Sequence, residues 1–347
     1  MEARSTRREL LKYSVGTFML PSVEESWAAP ANMTALLADP IYQQHDPGAG
    51  HPERPERYAA VTQALDRSGL TKSLSRIESR SATEDEIAAC HTRAYIQTVK
   101  REIAAGAREL STGDTNIGPR TWEVSLKAVG GVLNAVDAVV SRKATNAFCA
   151  VRPPGHHARP GQGMGFCVFN NIAIAARHAQ QKHKIERVLI ADWDVHHGNG
   201  TQDTFYEDGS VFFFSVHQSP WYPYTGREDE TGVNQGRNCT MNCPLPAGSG
   251  REQILAAFRH KLKPAADAFR PDLVLISAGF DSRKDDPLGQ FTLGDEDFAE
   301  MTSLLLEVAD KHAGGRLVSV LEGGYNLNGL AAAATSHVRT LANAKRA

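Results

Sequence analysis

The sequence predicts an α/β fold, a parallel sheet wrapped by helices. Three observations carry that prediction. Short apolar runs alternate with stretches of helical periodicity from residue 122 onward. The runs are apolar throughout rather than at every second position, as strands buried on both faces are. The Gly/Pro clusters at 46–55, 153–165, 220–236 and 285–289 are only of loop length, so no linker divides the chain.

Five runs read as strands: 146–151, 187–191, 211–216, 272–277 and 316–321. Between and around them lie helical patterns. The first, 122–141, places Val124, Ala128, Val132, Val136 and Val140 along one side. The others are 171–182, 251–268, 295–311 and 327–345. With 347 residues, the chain is long enough for one large domain or two ordinary ones. At 41% hydrophobic it has apolar material for a sizeable core.

Charge is nearly balanced, 38 Lys+Arg against 40 Asp+Glu. That excludes a nucleic-acid binder dependent on phosphate contacts and a polybasic membrane binder. No run approaches the ~18 apolar residues of a membrane span. Five scattered cysteines form no CxxC pair, whereas histidines number 13. A metal site would therefore use imidazole and carboxylate ligands.

The N-terminus reads Thr6-Arg7-Arg8-Glu9-Leu10-Leu11-Lys12, then a weakly apolar stretch at 13–20, then Ala29-Pro30-Ala31. Twin arginines before Leu-Leu-Lys resemble a twin-arginine export signal, and Ala-Pro-Ala fits its cleavage rule. Residues 1–31 are thus expected to be a leader and 32–347 the functional domain. The expected location is periplasmic or exported, and cytoplasmic if the leader is not a signal.

Parallel folds bind ligands beyond the carboxyl ends of their strands. Those ends are chemically rich here: His156-His157 after the first run, Asp192 to His197 after the second, His217 after the third, Asp281 after the fourth, Tyr325 after the fifth. In an extended segment Asp192, Asp194 and His196 share one face, and Asp194 and His196 stand about 7 Å apart, within reach of one metal ion. Asp281 is the natural third ligand. Two carboxylates and one imidazole leave a position open for water and substrate, as a catalytic metal site requires. The doublet His156-His157 suits proton shuttling, with Asp192 and Asn199 as orienting partners. Tyr325, on a flexible loop after two glycines, suits hydrogen-bond donation to a developing oxyanion.

Arg152-Pro153-Pro154-Gly155-His156-His157-Ala158, Gly165-Phe166-Cys167, the segment from Asp192 to Gln202, Ser277-Ala278-Gly279-Phe280-Asp281 and Leu321-Glu322-Gly323-Gly324-Tyr325-Asn326 together resemble the zinc-dependent histone deacetylase superfamily. His51-Pro52-Glu53-Arg54-Pro55-Glu56-Arg57 is similar to its N-terminal motif. Trp193 and Asn199 resemble the class II members and the bacterial deacetylase-like amidohydrolases. The resemblance implies an arginase–deacetylase fold, three-layered, with a central, mostly parallel sheet of about eight strands. It implies zinc on Asp194, His196 and Asp281, and His157 as general base and then acid. His156, paired with Asp192, would be its electrostatic partner, and Tyr325 would polarise the acyl carbonyl. It also implies a potassium ion held by oxygens of Asp192, Asp194, His196, Ser215 and Val216.

Family members pass an acyl-lysine stem between two aromatic rings. Phe166 matches one, and Tyr222 is the candidate for the other. Relatives that prefer acetylpolyamines carry an acid near the position of Leu288. An apolar Leu288 favours acyl-lysine or another acylated amine with an uncharged stem, with acetylpolyamine amidohydrolase as the alternative. An arginase-like ureohydrolase or a non-catalytic acyl-amide binding module on the same fold are the more distant alternatives.

Overall fold

Eight short segments pair in register into one sheet, and all are parallel. The computed structural model describes residues 33–344. Its strands are β1 (Thr34–Leu37), β2 (Ser75–Ile77), β3 (Asn146–Cys149), β4 (Val188–Asp192), β5 (Val211–Gln218), β6 (Thr240–Leu245), β7 (Leu273–Ala278) and β8 (Leu317–Leu321). Its helices are α1 (Glu56–Arg67), α2 (Glu84–Ile87), α3 (Arg93–Ala104), α4 (Thr121–Val140), α5 (Asn171–His183), α6 (Asn199–Phe205), α7 (Arg251–Ala257), α8 (Lys263–Phe269), α9 (Asp295–His312) and α10 (Leu327–Ala342). A π-helical turn, Phe258–Leu262, joins α7 to α8.

Strand order is β2-β1-β3-β8-β7-β4-β5-β6. The inner strands β3, β8, β7 and β4 are buried at every residue, because helices cover both faces. Helices α1 and α9 both pack on α10 as one layer, and α4 packs on α5 as the other. The chain leaves β3, crosses to β4, runs out to β6, and returns through β7 and β8 to fill the gap. That crossover opens a crevice at the strand ends, as doubly wound sheets do. Among the described residues, no helix is long and apolar enough to cross a membrane.

All five expected strands form, but their ends shift. Cys149 ends β3, so Ala150 and Val151 enter the following loop. Asp192 is the last residue of β4. Strand β5 runs on to Gln218, so His217 lies inside it rather than beyond it. Strands β1, β2 and β6 are additions to the expected set. β1 is too short to show periodicity, while β2 and β6 are half-buried edge strands, β6 carrying Pro244 where an edge tolerates it. Residues 1–31, read as a leader, lie outside the described residues.

Candidate active site

Four loops leave the four inner strands and meet in the crevice. The 193–198 segment after β4 bends instead of staying extended, which corrects the expected geometry. Its own carboxylates fold it: Asp194 N donates to Asp192 Oδ1 (3.1 Å) and His196 N to Asp194 Oδ1 (2.9 Å). The division of side chains survives the bending. Trp193 is buried against Phe258, Phe298 and His337, and His197 stacks on His217. On the other side, His196 Nδ1 lies 2.9 Å from Asp194 Oδ1 and 3.2 Å from Asp281 Oδ2.

The ligand atoms of Asp194, His196 and Asp281 all lie within 4.8 Å of one another. Asp281 Oδ2 is buried with no well-formed hydrogen bond, an arrangement that costs free energy unless a cation accepts the lone pairs. Burial raises both carboxyls. The charges of His156 and His196 overcome it at Asp194, which is held well below the usual carboxylate range. Asp281 is pushed up to about 7 by burial and by Asp194 beside it. Nitrogen and carboxylate donors with one orphaned oxygen fit a divalent metal.

Two glycines leave room for these carboxylates. A Cβ on Gly279 would stand 2.1 Å from Asp194 Oδ2, and one on Gly323 would stand 2.0 Å from Asp281 Oδ2.

His156 and His157 stack with ring centres 4.0 Å apart and have different partners. His156 Nδ1 meets Asp192 Oδ2 at 2.9 Å; His157 Nδ1 meets Asn199 Oδ1 at 2.7 Å. Burial lowers both imidazoles. At His156 the Asp192 and Asp194 carboxylates reverse that and hold it up at about 10. At His157 the charges of His156 and His196 add to burial and keep it well below the usual histidine value. The two environments thus favour opposite forms, the charged imidazole at His156 and the neutral one at His157. Their loop is tied down at Glu322 Oε2, which accepts from Gly155 N (2.7 Å) and His156 N (3.1 Å).

Tyr325 does not ride a flexible loop. Its amide donates to Asp286 Oδ2 (2.7 Å), and the Arg57 guanidinium lies 4.9 Å over its ring. Arg57 also donates to the carbonyls of Glu322 (2.5 Å) and Gly324 (2.7 Å), where φ of +119° calls for glycine. Behind Arg57 stands Glu53, which accepts from Arg57 Nη1 (3.1 Å) and from Arg152 Nε (2.5 Å) and Nη2 (2.7 Å). All three side chains are fully buried. The sequence assigns no role to Glu53, Arg57, Arg152, Glu322 or Asp286. For Glu53, Arg57, Arg152 and Glu322 the signal is only that charged residues stand inside the quoted motifs; Asp286 lies outside them, two residues before Leu288.

A cavity of about 260 Å³ leads from His157, His196 and Tyr325 to the surface. Phe166, Tyr222 and Leu288 line it. Phe166 lies 5.9 Å from Tyr325, and Tyr222 lies 5.2 Å from His157. The structure adds Asp114, Trp221 and Tyr224. Asp114 Oδ1 accepts from Gly165 N (2.7 Å), and Trp221 Nε1 donates to Leu288 O (2.8 Å). A larger, more open hollow of about 840 Å³ near Arg159 and Arg177 lies elsewhere, and Asp203 and Asp208 already neutralise both cations. Ser215 pairs beside Asp192 in the sheet, and its Oγ meets His217 Nδ1 at 2.9 Å; Val216 is buried next to it.

The histone deacetylase domain matches residues 51–341. The chain belongs to the histone deacetylase family. This deacetylase is 40% identical over 302 residues to a histone deacetylase-like amidohydrolase of Pseudomonas aeruginosa, covering 86% of this chain and 79% of that one. It is 38% identical over 299 residues to a probable deacetylase of Archaeoglobus fulgidus, covering 86% and 82%. It is 41% identical over 300 residues to the polyamine deacetylase HDAC10 of Homo sapiens, covering 83% of this chain but 44% of that longer protein. The crystal structure of the HDA15 HD domain superposes with a TM-score of 0.86 at 36% identity, covering 90% of each chain. The sheet is thus that of the arginase–deacetylase fold, and the chain is a hydrolytic deacetylase acting on the amide bond of acylated amines.

Proposed function

We propose that this deacetylase hydrolyses the amide of an acyl-lysine, or of an acylated amine with a similarly uncharged stem. The observation that carries the reading is one narrow, largely apolar channel. At its base stand the Asp194–His196–Asp281 group, His157 and Tyr325. Asp194, His196 and Asp281 would hold a zinc ion, which would supply Lewis acidity at the base of the channel. The buried Tyr325 phenol, raised well above its ordinary value by burial, stays protonated and donates to the acyl oxygen as negative charge develops there. His157, neutral on its ring partnered by Asn199, takes a proton from the water and returns it to the leaving amine. His156, held charged by Asp192, stabilises that charge without trading its proton.

Potassium is proposed to sit among oxygens of Asp192, Asp194, His196, Ser215 and Val216. Because His217 Nε2 donates to the Gly226 carbonyl, its Nδ1 accepts from Ser215 Oγ, and the hydroxyl keeps its lone pairs for the ion beside the backbone carbonyls. The leader at 1–31 is proposed as an export signal; N-terminal sequencing of the periplasmic fraction should find a processed start at Asn32, and an intact cytoplasmic chain would refute it.

Two variants test the chemistry and the substrate. Tyr325→Phe should retain its metal and lower kcat by about 10²–10³-fold. Unchanged turnover would remove Tyr325 from the mechanism. The wild type should favour acyl-lysine peptides over acetylpolyamines in a zinc-loaded assay panel. Leu288→Glu, placing a carboxylate in the channel wall, should shift the kcat/KM ratio toward the cationic acetylpolyamines by about tenfold or more. A wild type that already prefers polyamines would overturn the substrate reading and leave the deacetylase chemistry standing.

A further inference from the structure

A second group of metal-ligating side chains lies far from the active site. Asp137 on α4 presents Oδ1 to two imidazoles of α5: His178 Nε2 at 2.8 Å and His183 Nε2 at 2.6 Å. The ligand atoms of the three residues fall within 4.8 Å of one another. The two rings stand 5.8 Å apart, centre to centre. The cluster sits at the C-terminal end of α5, while the N-terminal end of that helix borders the His156–His157 loop through Asn170 and Asn171. Thirteen residues of helix separate the two ends by roughly 20 Å.

We propose that Asp137, His178 and His183 form a second divalent-metal site, of the zinc class, that clamps α4 to α5. Two imidazole nitrogens and one carboxylate oxygen are the ligand set that zinc takes from a protein, with water in the fourth position. Zinc bonds of about 2.0–2.1 Å in a tetrahedron set ligand atoms roughly 3.3 Å apart. The present hydrogen-bonded distances therefore open by only about 0.5–0.7 Å to admit the ion. Access is provided: His178 is buried at 8% side-chain exposure, but Asp137 at 27% and His183 at 19% reach solvent. Asp137 also borders an open hollow of about 450 Å³. Burial raises the Asp137 carboxyl, and His178, Lys182 and His183 reverse this and hold it below its ordinary value, so the ligand is ionised.

One feature opposes the metal. Lys182 Nζ lies 2.7 Å from Asp137 Oδ2 and adds a like charge. Its side chain is more than half exposed and swings into water without leaving a buried cation. Arg80 is already neutralised by a bidentate pair with Glu86, which faces the same cluster.

The experiment starts from holoenzyme carrying one zinc per chain. Further Zn²⁺ titrated by calorimetry should give a second one-to-one binding event. At about 100-fold excess over its dissociation constant the thermal midpoint should rise by roughly 3–5 °C. His183→Ala, at the exposed end of α5, should abolish the second event while keeping the first zinc and the turnover. Lys182→Ala should tighten the second event by about 3–10-fold, because the competing ammonium is gone. A wild type that binds no second equivalent, or a His183→Ala variant that still binds it, overturns the proposal. So does a Lys182→Ala variant with unchanged or weaker affinity.

Discussion

Gly323→Ala is expected to strip the active site of metal and lower turnover by about 100-fold or more, with the fold retained. The backbone of Gly323 lies outside the left-handed region, so alanine adds no conformational strain there. The whole effect is steric. The new methyl would stand 2.0 Å from Asp281 Oδ2 and 2.6 Å from Asp194 Oδ2, far inside contact distance. Both carboxylates must turn away, and both are proposed ligands. Asp194 would also strain its 2.8 Å bond from Gly323 N. Misplacing reacting groups by about 1 Å costs on the order of 100-fold in rate. Elemental analysis after dialysis should show less than one zinc per chain, with an unchanged far-ultraviolet dichroism spectrum. Gly161→Ala is the control, since its methyl meets nothing within 4 Å. Full zinc content in Gly323→Ala would mean the carboxylates are not the ligands.

Part of this site is legible in the sequence and part is not. Asp192, Asp194, His196, Asp281 and Tyr325 are legible because each stands at or just past the end of an apolar run, where a parallel sheet places its chemistry. The room left by Gly323 is not legible, because it depends on two other loops arriving beside it. The same limit hid the shape of the 193–198 segment, which its own carboxylates fold into bends. It also hid the anchoring of Tyr325. A Gly-Gly-Tyr sequence reads as flexible, yet Asp286 and Arg57 hold it from positions 39 and 268 residues away. Periodicity reports which side chains are buried in an element. It says nothing about which buried charge meets which.

The second large effect follows from that buried charge. Glu53→Gln is expected to destabilise the protein by about 3–5 kcal/mol, because it leaves the Arg57 and Arg152 guanidiniums buried without their counter-ion. For a chain of 347 residues that corresponds to a thermal midpoint lower by roughly 4–7 °C. Burial raises the Glu53 carboxyl, but Arg152 and His45 overcome burial and hold it well below its ordinary value of 4.5. A carboxyl depressed in the folded state stabilises fully above its unfolded value and loses that contribution as pH falls through the folded value. Wild-type stability should therefore decline below about pH 4.5, where protonation of Glu53 becomes linked to unfolding. The Gln variant, already without the charge, should show a shallower decline over that range. Its loss is also functional. Arg57 carries the carbonyls of Glu322 and Gly324 and covers the Tyr325 ring, so a displaced Arg57 releases the phenol from its position. At a temperature where the variant is still folded, kcat should fall more than KM rises, because Tyr325 acts on charge that develops after binding. Equal stability of the two proteins at pH 7 would show that the guanidiniums find other partners.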